Sequence, residues 1–313
     1  MFILLVNQIV IITAALAGSA TFKNNNPATP YTPKEYADEA EKAYKAGASM
    51  VHIHGRDETM GGYHTSEVDK VKATYDAIKK RCPDLIIQVT SSVGFPCQVG
   101  PFPESDCVNL INNLIKLNME SRIRSIKALK PESASLNTNT MNFSVLDRKT
   151  GQILIDNVFV NSFGMLQDFG KIMEEMGCRP EAELYDIGGL DNWLLIAKQD
   201  IFRKPYNFNF VWGVAGGQKF RPEVFVAMVN ALPAGSNFTT CAVGTEQFPA
   251  IMQSCLMGGH MRVGLEDNTR MPNGDLAKGS YEQVEVAVKI ASSLGREPAT
   301  PAEARKILGI TKK

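Results

Sequence analysis

Short apolar runs alternate along the chain with segments in which apolar residues recur every three or four positions. Runs of strand length followed by helical periodicity are typical of parallel βαβ units. Strands are predicted at 9–17, 49–56, 85–92, 134–143, 182–187, 208–214, 238–243 and 261–267. Helices are predicted at about 33–46, 65–81, 104–119, 161–177, 189–199, 221–231, 246–257 and 279–294, with a short final helix at 301–307.

Two of the predicted helices begin with a capping box. The sequences are Thr32-Pro33-Lys34-Glu35 and Thr300-Pro301-Ala302-Glu303. In each, a threonine stands before the helix, proline takes the first helical position and glutamate follows three residues after the threonine. Both positions are therefore expected to be true helix starts.

Eight strand-helix repeats favour a closed (β/α)8 barrel, the TIM barrel, over an open doubly wound sheet. No G-x-G-x-x-G follows the first strand and no G-x-x-x-x-G-K-[ST] occurs, so the usual nucleotide motifs of open sheets are missing. We expect one barrel domain over 1–313. The segment 147–156, with a turn-like Lys149-Thr150-Gly151, is interpreted as a hairpin insertion after the fourth strand.

Composition narrows the class of partner. Of the 313 residues, 44% are hydrophobic and 21% are charged, and 33 basic residues balance 33 acidic ones. Neither nucleic acid nor an anionic membrane is an expected partner. The six cysteines show no C-x-x-C spacing, and residues 1–17 lack a basic start, so we expect a cytoplasmic protein whose first apolar run is a buried strand.

Two of the four histidines lie in Val51-His52-Ile53-His54, on the second predicted strand. Alternate side chains of a strand share a face, so both imidazoles point into the barrel. Neutral imidazole binds zinc and its neighbours in the transition series. Burying two unpartnered imidazoles side by side is costly, so the pattern favours a metal over a pair of hydrogen-bonded core histidines.

The eighth predicted strand can complete this metal site. Its two-residue period places His260, Arg262, Gly264 and Glu266 on one face, with Glu266 at the end of the row. Two imidazoles and one carboxylate would leave a coordination position open for substrate. His260 lies at the opposite end of the strand and is expected to be structural.

Arg262 is expected to face the barrel interior, where a guanidinium needs a carboxylate partner. Glu183 and Asp186, on the fifth strand, are the candidates. Asp267 can join them where the eighth strand gives way to a loop, and Arg262 is then expected to lower its pKa and keep it ionised. Arg262, Glu183 and Asp267 would form a group able to move a proton beside the metal.

Several motifs spread over the chain resemble the β-keto acid cleavage enzymes, a family formerly of unknown function. They are ITAAL at 12–16, the helix start at Thr32-Pro33, VHIHGRD at 51–57, ASL at 134–136, MNF at 141–143, GGHMRVGLEDN at 258–268 and ATPAEAR at 299–305. The histidine motif and the strand-eight motif together are specific to this family.

The resemblance implies a zinc-dependent barrel that converts a β-keto acid and acetyl-CoA into acetoacetate and a new acyl-CoA. It implies His52, His54 and Glu266 as metal ligands, and Asp267, Arg262 and Glu183 as the catalytic acid/base group. The positions that it implies contact substrate are Thr90, Ser91, Thr140 and Asn142. We also expect a homo-oligomer, a dimer or a tetramer.

The chain departs from the family pattern at three places. Members that act on an amino-substituted keto acid resemble one another in carrying an acid shortly after the first strand, where this chain has Gly18-Ser19-Ala20-Thr21. We therefore expect a neutral or anionic substrate. Gly55 replaces the usual valine after the second histidine, and Thr245 replaces the usual arginine after the seventh strand. Both changes are expected near the pocket.

Two other functions stay open at this point. The first is a metal-dependent hydrolase or aldolase on a similar barrel, although that class recruits further histidines and only His64 and His260 remain. The segment around His64 is interpreted as surface. The second is a barrel that binds a metal or a ligand without catalysis, which the change at Thr245 favours.

Overall fold

The computed structural model describes residues 8–92, 107–147 and 150–311, with only the backbone described at 107–117 and at 155. Eight parallel strands close into a barrel in which each strand pairs with the next along the chain and the eighth pairs with the first. They are β1 Ile12–Ala15, β2 Met50–Ile53, β3 Ile86–Val89, β4 Ser133–Asn137, β5 Arg179–Leu184, β6 Asn207–Trp212, β7 Asn237–Ala242 and β8 His260–Val263. The predicted (β/α)8 barrel is confirmed.

Helices follow the strands and form the outer layer. They are α1 Pro33–Ala46, α2 Val68–Arg81, α3 Cys107–Leu129, α4 Phe163–Glu175, α5 Ile187–Ala197, α6 Pro222–Ala231, α7 Gln247–Leu256, α8 Ser280–Ser293 and α9 Pro301–Leu308. Both predicted capping boxes are present, at Thr32 and Thr300. Within the described ranges, no helix combines the length and the apolar character that a membrane span needs.

The hydrophobic core lies between the strands and the helices. Val51 and Ile53 of β2 are fully buried there against helical residues, while their neighbour His52 faces the inside of the barrel. The interior instead holds buried polar side chains such as Gln88 and Glu181. This division follows from the alternation of side chains along each strand, and it leaves the barrel interior available for a polar site.

The structure corrects the fourth predicted strand, 134–143. Strand β4 ends at Asn137, whose Oδ1 accepts a hydrogen bond from the backbone N–H of Asn139 at 2.7 Å, and this turn takes the chain out of the barrel. Met141–Asn142 then pairs with Val158–Phe159, and Val145–Leu146 pairs with Ile153–Ile155, both antiparallel. We call 141–159 the hairpin arm. Its residues 148–149 lie outside the described residues.

Other predicted boundaries differ for local reasons. The first predicted strand divides, because Ile9–Val10 pairs with Glu297–Pro298 outside the barrel. Helix α3 continues ten residues beyond the predicted end at 119, to Leu129. It stops where Lys130 adopts φ 46°, directly before a proline that cannot continue a helix.

Candidate active site

The carboxyl ends of the strands open into a cavity of about 820 Å³. This is the end at which barrel enzymes carry their active sites. Its polar side consists of the ionisable residues His52, His54, Glu183, Arg262, Glu266 and Asp267. The cavity therefore gathers all six of the residues expected to bind metal or move protons.

Three of these side chains form a group that can hold a metal ion. Glu266 Oε1 lies 3.6 Å from His52 Nε2 and 3.4 Å from His54 Nε2, and the three ligand atoms lie within 4.8 Å of one another. The second oxygen, Oε2 of Glu266, is buried and has no hydrogen-bond partner. These three side chains bring potential metal-ligand atoms close together, and one of the carboxylate oxygens is buried without a hydrogen-bond partner. Such an arrangement suits a divalent cation bound between them.

Hydrogen bonds to Gln88, and from Gln88 to Glu181, orient the imidazole of His52. Its Nδ1 lies 2.7 Å from Oε1 of Gln88, and the Gln88 amide donates from Nε2 to Glu181 Oε2 at 3.0 Å. The carboxylate of Glu181 fixes which end of the amide faces His52, because a carboxylate accepts and does not donate. Nδ1 of His52 must then carry the proton, which leaves its Nε2 lone pair directed at Glu266.

Gln88→Leu is expected to lower metal affinity by about 10- to 100-fold, the range typical for loss of a residue that orients a ligand. The side chain keeps its volume but no longer accepts from Nδ1 of His52. A titration with a competing chelator measures this effect. Ser66→Ala, at the surface contact with Arg124, serves as the control that should not change affinity. Unchanged affinity in Gln88→Leu would show that His52 does not need this orientation.

The turn after β8 directs the side chains of both Glu266 and Asp267 toward the cavity. Strand β8 ends at Val263, and Gly264 follows at φ 147°, with no space for a Cβ against the carbonyl of Ala15. The backbone N–H of Asp267 then donates to Gly264 O at 3.1 Å. The predicted strand to 267 is therefore wrong at its end, and Glu266 reaches the site through a glycine turn rather than through strand alternation.

Gly18, after β1, makes room for Glu266. A Cβ at this position would collide with Cγ of Glu266 and lie 2.9 Å from its Cδ. Arg56 holds the loop in place, since its guanidinium donates to the carbonyls of Gly18 and Thr21. The loop that carries Ser19 and Ala20 is thus fixed at the edge of the cavity.

Arg262 connects the acids of the site. It donates to Asp267 from Nε at 2.9 Å and from Nη2 at 3.0 Å, and to Glu266 Oε1 from Nη2 at 2.6 Å. Its Nη1 lies 3.5 Å from Glu183 Oε1. Asp186, the other expected partner, is not in this group, because it caps α5 by accepting from Gly189 N at 3.0 Å.

Burial sets the protonation of the group. It lowers the pKa of His52 to about 3, so that imidazole stays neutral. It raises the pKa of Glu183 to about 7 against the effect of Arg262. Burial works to raise the pKa of Glu266 as well, but the imidazoles and Arg262 outweigh it and hold that pKa well below its usual range.

Burial raises the pKa of Asp267 to about 6. Arg262 lowers this pKa, as expected from the sequence, but burial outweighs the guanidinium. An acid with this pKa is mostly ionised at neutral pH and close to the value at which proton transfer is efficient. Asp267 is therefore suited to act as a general base.

The structure brings few of the expected substrate positions to the cavity. Thr90 lines it, whereas Ser91 turns away and accepts from Arg122 Nε through its carbonyl at 2.8 Å. Thr140 and Asn142 are exposed and are not among the lining residues, since the chain has already left the barrel for the hairpin arm. Thr140 Oγ1 accepts from Asn161 N at 2.8 Å.

Of the two other positions at which the chain departs from the family pattern, one lines the cavity and one does not. Thr245 lines the cavity. Gly55 does not, because it packs against the loop at Thr65, where a Cβ would have no space. The interpretation of His64 as a surface residue is wrong: its Nδ1 lies 3.1 Å from Nδ1 of His54. His260 is buried at the far end of β8, where its Nδ1 accepts from Ile11 N at 3.1 Å.

Sequence reasoning missed Gln88 and Glu181. Signals for both were available, since Gln88 is the polar residue in the apolar run Leu85-Ile86-Ile87-Gln88-Val89. It also stands at the same level of the barrel as His52. Glu181 alternates with Glu183 just as His52 alternates with His54, which places both acids on the inner face.

The closed barrel and its ionisable cavity define an enzyme of the (β/α)8 class. The family model described as beta-keto acid cleavage enzyme matches residues 9–310, almost the whole chain. The chain therefore belongs to the beta-keto acid cleavage enzyme family, and the resemblance noted from its motifs is confirmed.

Curated relatives agree with this assignment, and a solved structure shares the fold. The chain is 39% identical to 3-keto-5-aminohexanoate cleavage enzyme of Acetoanaerobium sticklandii, over 96% of this chain and 98% of that one. It is 30% identical to 3-dehydrocarnitine:acetyl-CoA trimethylamine transferase of Rhizobium meliloti, over 98% of each. The structure of ObcA with oxaloacetate matches with a TM-score of 0.68 at 21% identity, over 91% of this chain and 68% of that one, and so shares the fold.

Proposed function

We propose that the protein exchanges acyl groups between a β-keto acid and acetyl-CoA, giving acetoacetate and a new acyl-CoA. The observation that carries this proposal is the group of His52, His54 and Glu266, directly beside the base Asp267 in one cavity. The names of the relatives support it, since one cleaves a keto acid and another transfers with acetyl-CoA.

We propose zinc as the ion held by His52, His54 and Glu266, because two neutral imidazoles and one carboxylate form a common open zinc site. When bound, such an ion polarises a keto oxygen as a Lewis acid. We still predict, from the sequence, that the protein forms a homo-oligomer and is cytoplasmic.

The residues of the chain supply the proton transfers. In this proposal Asp267, held by Arg262, takes a proton from the carbon between the ketone and the carboxylate. The resulting enolate attacks the thioester carbonyl of acetyl-CoA and expels the CoA thiolate. The thiolate then attacks the original keto carbon and breaks its bond to the central carbon. The central carbon leaves in the enolate of acetoacetate, which takes the proton back from Asp267 to give acetoacetate, and the original acyl group is now on CoA.

The edge of the cavity excludes one class of substrate. Ser19 and Ala20 line the cavity where an acid would meet a substrate ammonium group. We expect kcat/KM for 5-amino-3-oxohexanoate to be at least about tenfold below that for 3-oxohexanoate, because its charge finds no partner there. Ala20→Glu should narrow the difference, and Ala20→Gln is the uncharged control. A wild-type preference for the amine would contradict this expectation.

The proposed function itself is tested with product analysis. Zinc-loaded protein, acetyl-CoA and 3-oxohexanoate should yield butyryl-CoA and acetoacetate in equal amounts, measured by mass spectrometry. Hydrolysis of the keto acid without a new thioester would favour the hydrolase alternative.

A further inference from the structure

The cavity has two unlike sides. Besides the ionisable residues, its lining includes Phe143 and Phe159 from the hairpin arm, Tyr185 after β5, and Val211 and Val214 from β6 and the loop that follows. Tyr185 adjoins the ionisable group, since its hydroxyl lies 3.5 Å from Glu183 Oε2. We call these five residues the apolar wall. Phe159, Tyr185 and Val211 are buried, and Phe143 and Val214 are half-buried. None of them has a role in the proton transfers proposed above.

The apolar wall is packed against buried side chains on its outer side. The rings of Phe143 and Phe159 lie 5.3 Å apart between centroids, and Met141 and Cys241 are buried in the same cluster. The guanidinium of Arg122 lies 4.8 Å from the ring of Phe159. Arg122 also donates to Val160 O at 3.1 Å, which ties the end of the hairpin arm to α3. A wall that is already ordered binds an apolar group without a further loss of side-chain entropy.

The charges near the wall do not form a site for a charged substrate. Among the described lining residues outside the polar side, the charged side chains are Asp147, Lys219 and Glu246, which are of mixed sign. Asp147 accepts from Thr150 N at 2.7 Å, and Glu246 accepts from Phe220 N at 3.1 Å. Lys219 is exposed. A charged group laid against the wall would lose water without gaining an opposite charge on it.

We propose that the apolar wall receives the side chain of the β-keto acid, so that the substrate class is β-keto acids with a neutral, apolar side chain. This inference rests on the proposed function and narrows it, because the sequence left anionic keto acids open. With the ketone at the polar side of the cavity, the side chain extends toward Phe143 and Phe159. The hairpin arm, an addition to the barrel, thereby determines which acyl group is transferred.

Three substrates of equal carbon number test the side-chain preference. They are 3-oxohexanoate, 3-oxoadipate and 5-amino-3-oxohexanoate, which end in an alkyl, an anionic and a cationic side chain. We expect kcat/KM to be highest for 3-oxohexanoate, by at least about tenfold over each charged analogue. It should also exceed the value for acetoacetate by about tenfold, for the two added methylenes. Acetoacetate is followed by exchange with deuterated acetyl-CoA.

Variants of the apolar wall test whether it causes the preference for 3-oxohexanoate over acetoacetate. Phe143→Ala should bring kcat/KM for 3-oxohexanoate and for acetoacetate within about twofold of each other, and Phe143→Leu should restore much of the difference. Phe163→Ala removes an exposed ring on α4, outside the cavity, and should leave the ratio at its wild-type value. Because the ratio compares two substrates of one preparation, partial unfolding of a variant does not affect it.

The outcomes separate the two proposals. Exchange of acetoacetate together with a preference for 3-oxoadipate or for the amine would overturn the role of the apolar wall and leave the proposed function intact. A ratio that stays at the wild-type value in Phe143→Ala would do the same. The absence of exchange with every keto acid would overturn the proposed function, and this inference with it.

Discussion

Asp267→Asn is expected to reduce kcat by about 10²- to 10⁴-fold, the loss typical when a general base is removed. Asparagine keeps the shape of the side chain and still accepts from Arg262, but it cannot take the substrate proton. Steady-state rates at saturating acetyl-CoA measure kcat. Asp168→Asn, at an exposed position on α4, is the matched control and should behave as wild type.

A second measurement shows whether Asp267→Asn loses activity because the base is gone or because the metal site is disturbed. Elemental analysis should find as much metal in Asp267→Asn as in wild type, since Asp267 is outside the proposed ligand group. Arg262→Met should cause a comparable loss of kcat, and the double variant should be scarcely worse than either single one if the two residues act as a unit. A kcat within about threefold of wild type in Asp267→Asn would assign the proton transfer elsewhere, with Glu183 tested next.

His52→Ala is expected to abolish both metal binding and activity in a protein that still folds. One of the three proposed ligands is removed, so the affinity should fall by more than the roughly 100-fold that marks the upper range for an orienting residue. The core between strands and helices is untouched, because His52 faces the interior. Metal content and circular dichroism are measured on the same preparation.

His260→Asn is the contrasting variant. His260 is also a buried histidine, but its Nδ1 accepts from Ile11 N at the far end of β8, and Oδ1 of asparagine can accept in its place. Metal content should therefore stay at the wild-type level in this variant. Full metal content in His52→Ala would show that His52 is not a metal ligand. Loss of the circular dichroism signal in this variant would show that His52 is needed for folding.

The sequence predicts the barrel and the histidine pair well, since both depend on short-range periodicity. Eight repeats of strand and helix have few closed arrangements, and the spacing of His52 and His54 puts both on one face of β2. The fifth strand is similar, because Glu183 faces the interior by the same alternation. Wherever a regular strand holds the residue, its direction could be predicted from the sequence.

The parts that could not be predicted lie where strands end. Glu266 and Asp267 share a side only because Gly264 turns the chain, and alternation has no meaning in a turn. Thr140 and Asn142 were expected beside the substrate, but the turn at Asn137 removes them from the barrel. His64 reaches His54 because Tyr63–His64 pairs antiparallel with Arg56–Asp57, and nothing in the local sequence indicates that contact.

Acyl exchange at this site is best tested with acetoacetate, the smallest of these keto acids. Metal-loaded protein is mixed with acetoacetate and acetyl-CoA deuterated in its acetyl group, and both pools are followed by mass spectrometry. Deuterium is expected to appear in acetoacetate at the rate at which unlabelled acetyl-CoA forms, and His52→Ala and Asp267→Asn are expected to slow both together. Decay of acetoacetate without label transfer, or exchange that is unchanged in both variants, would contradict this expectation.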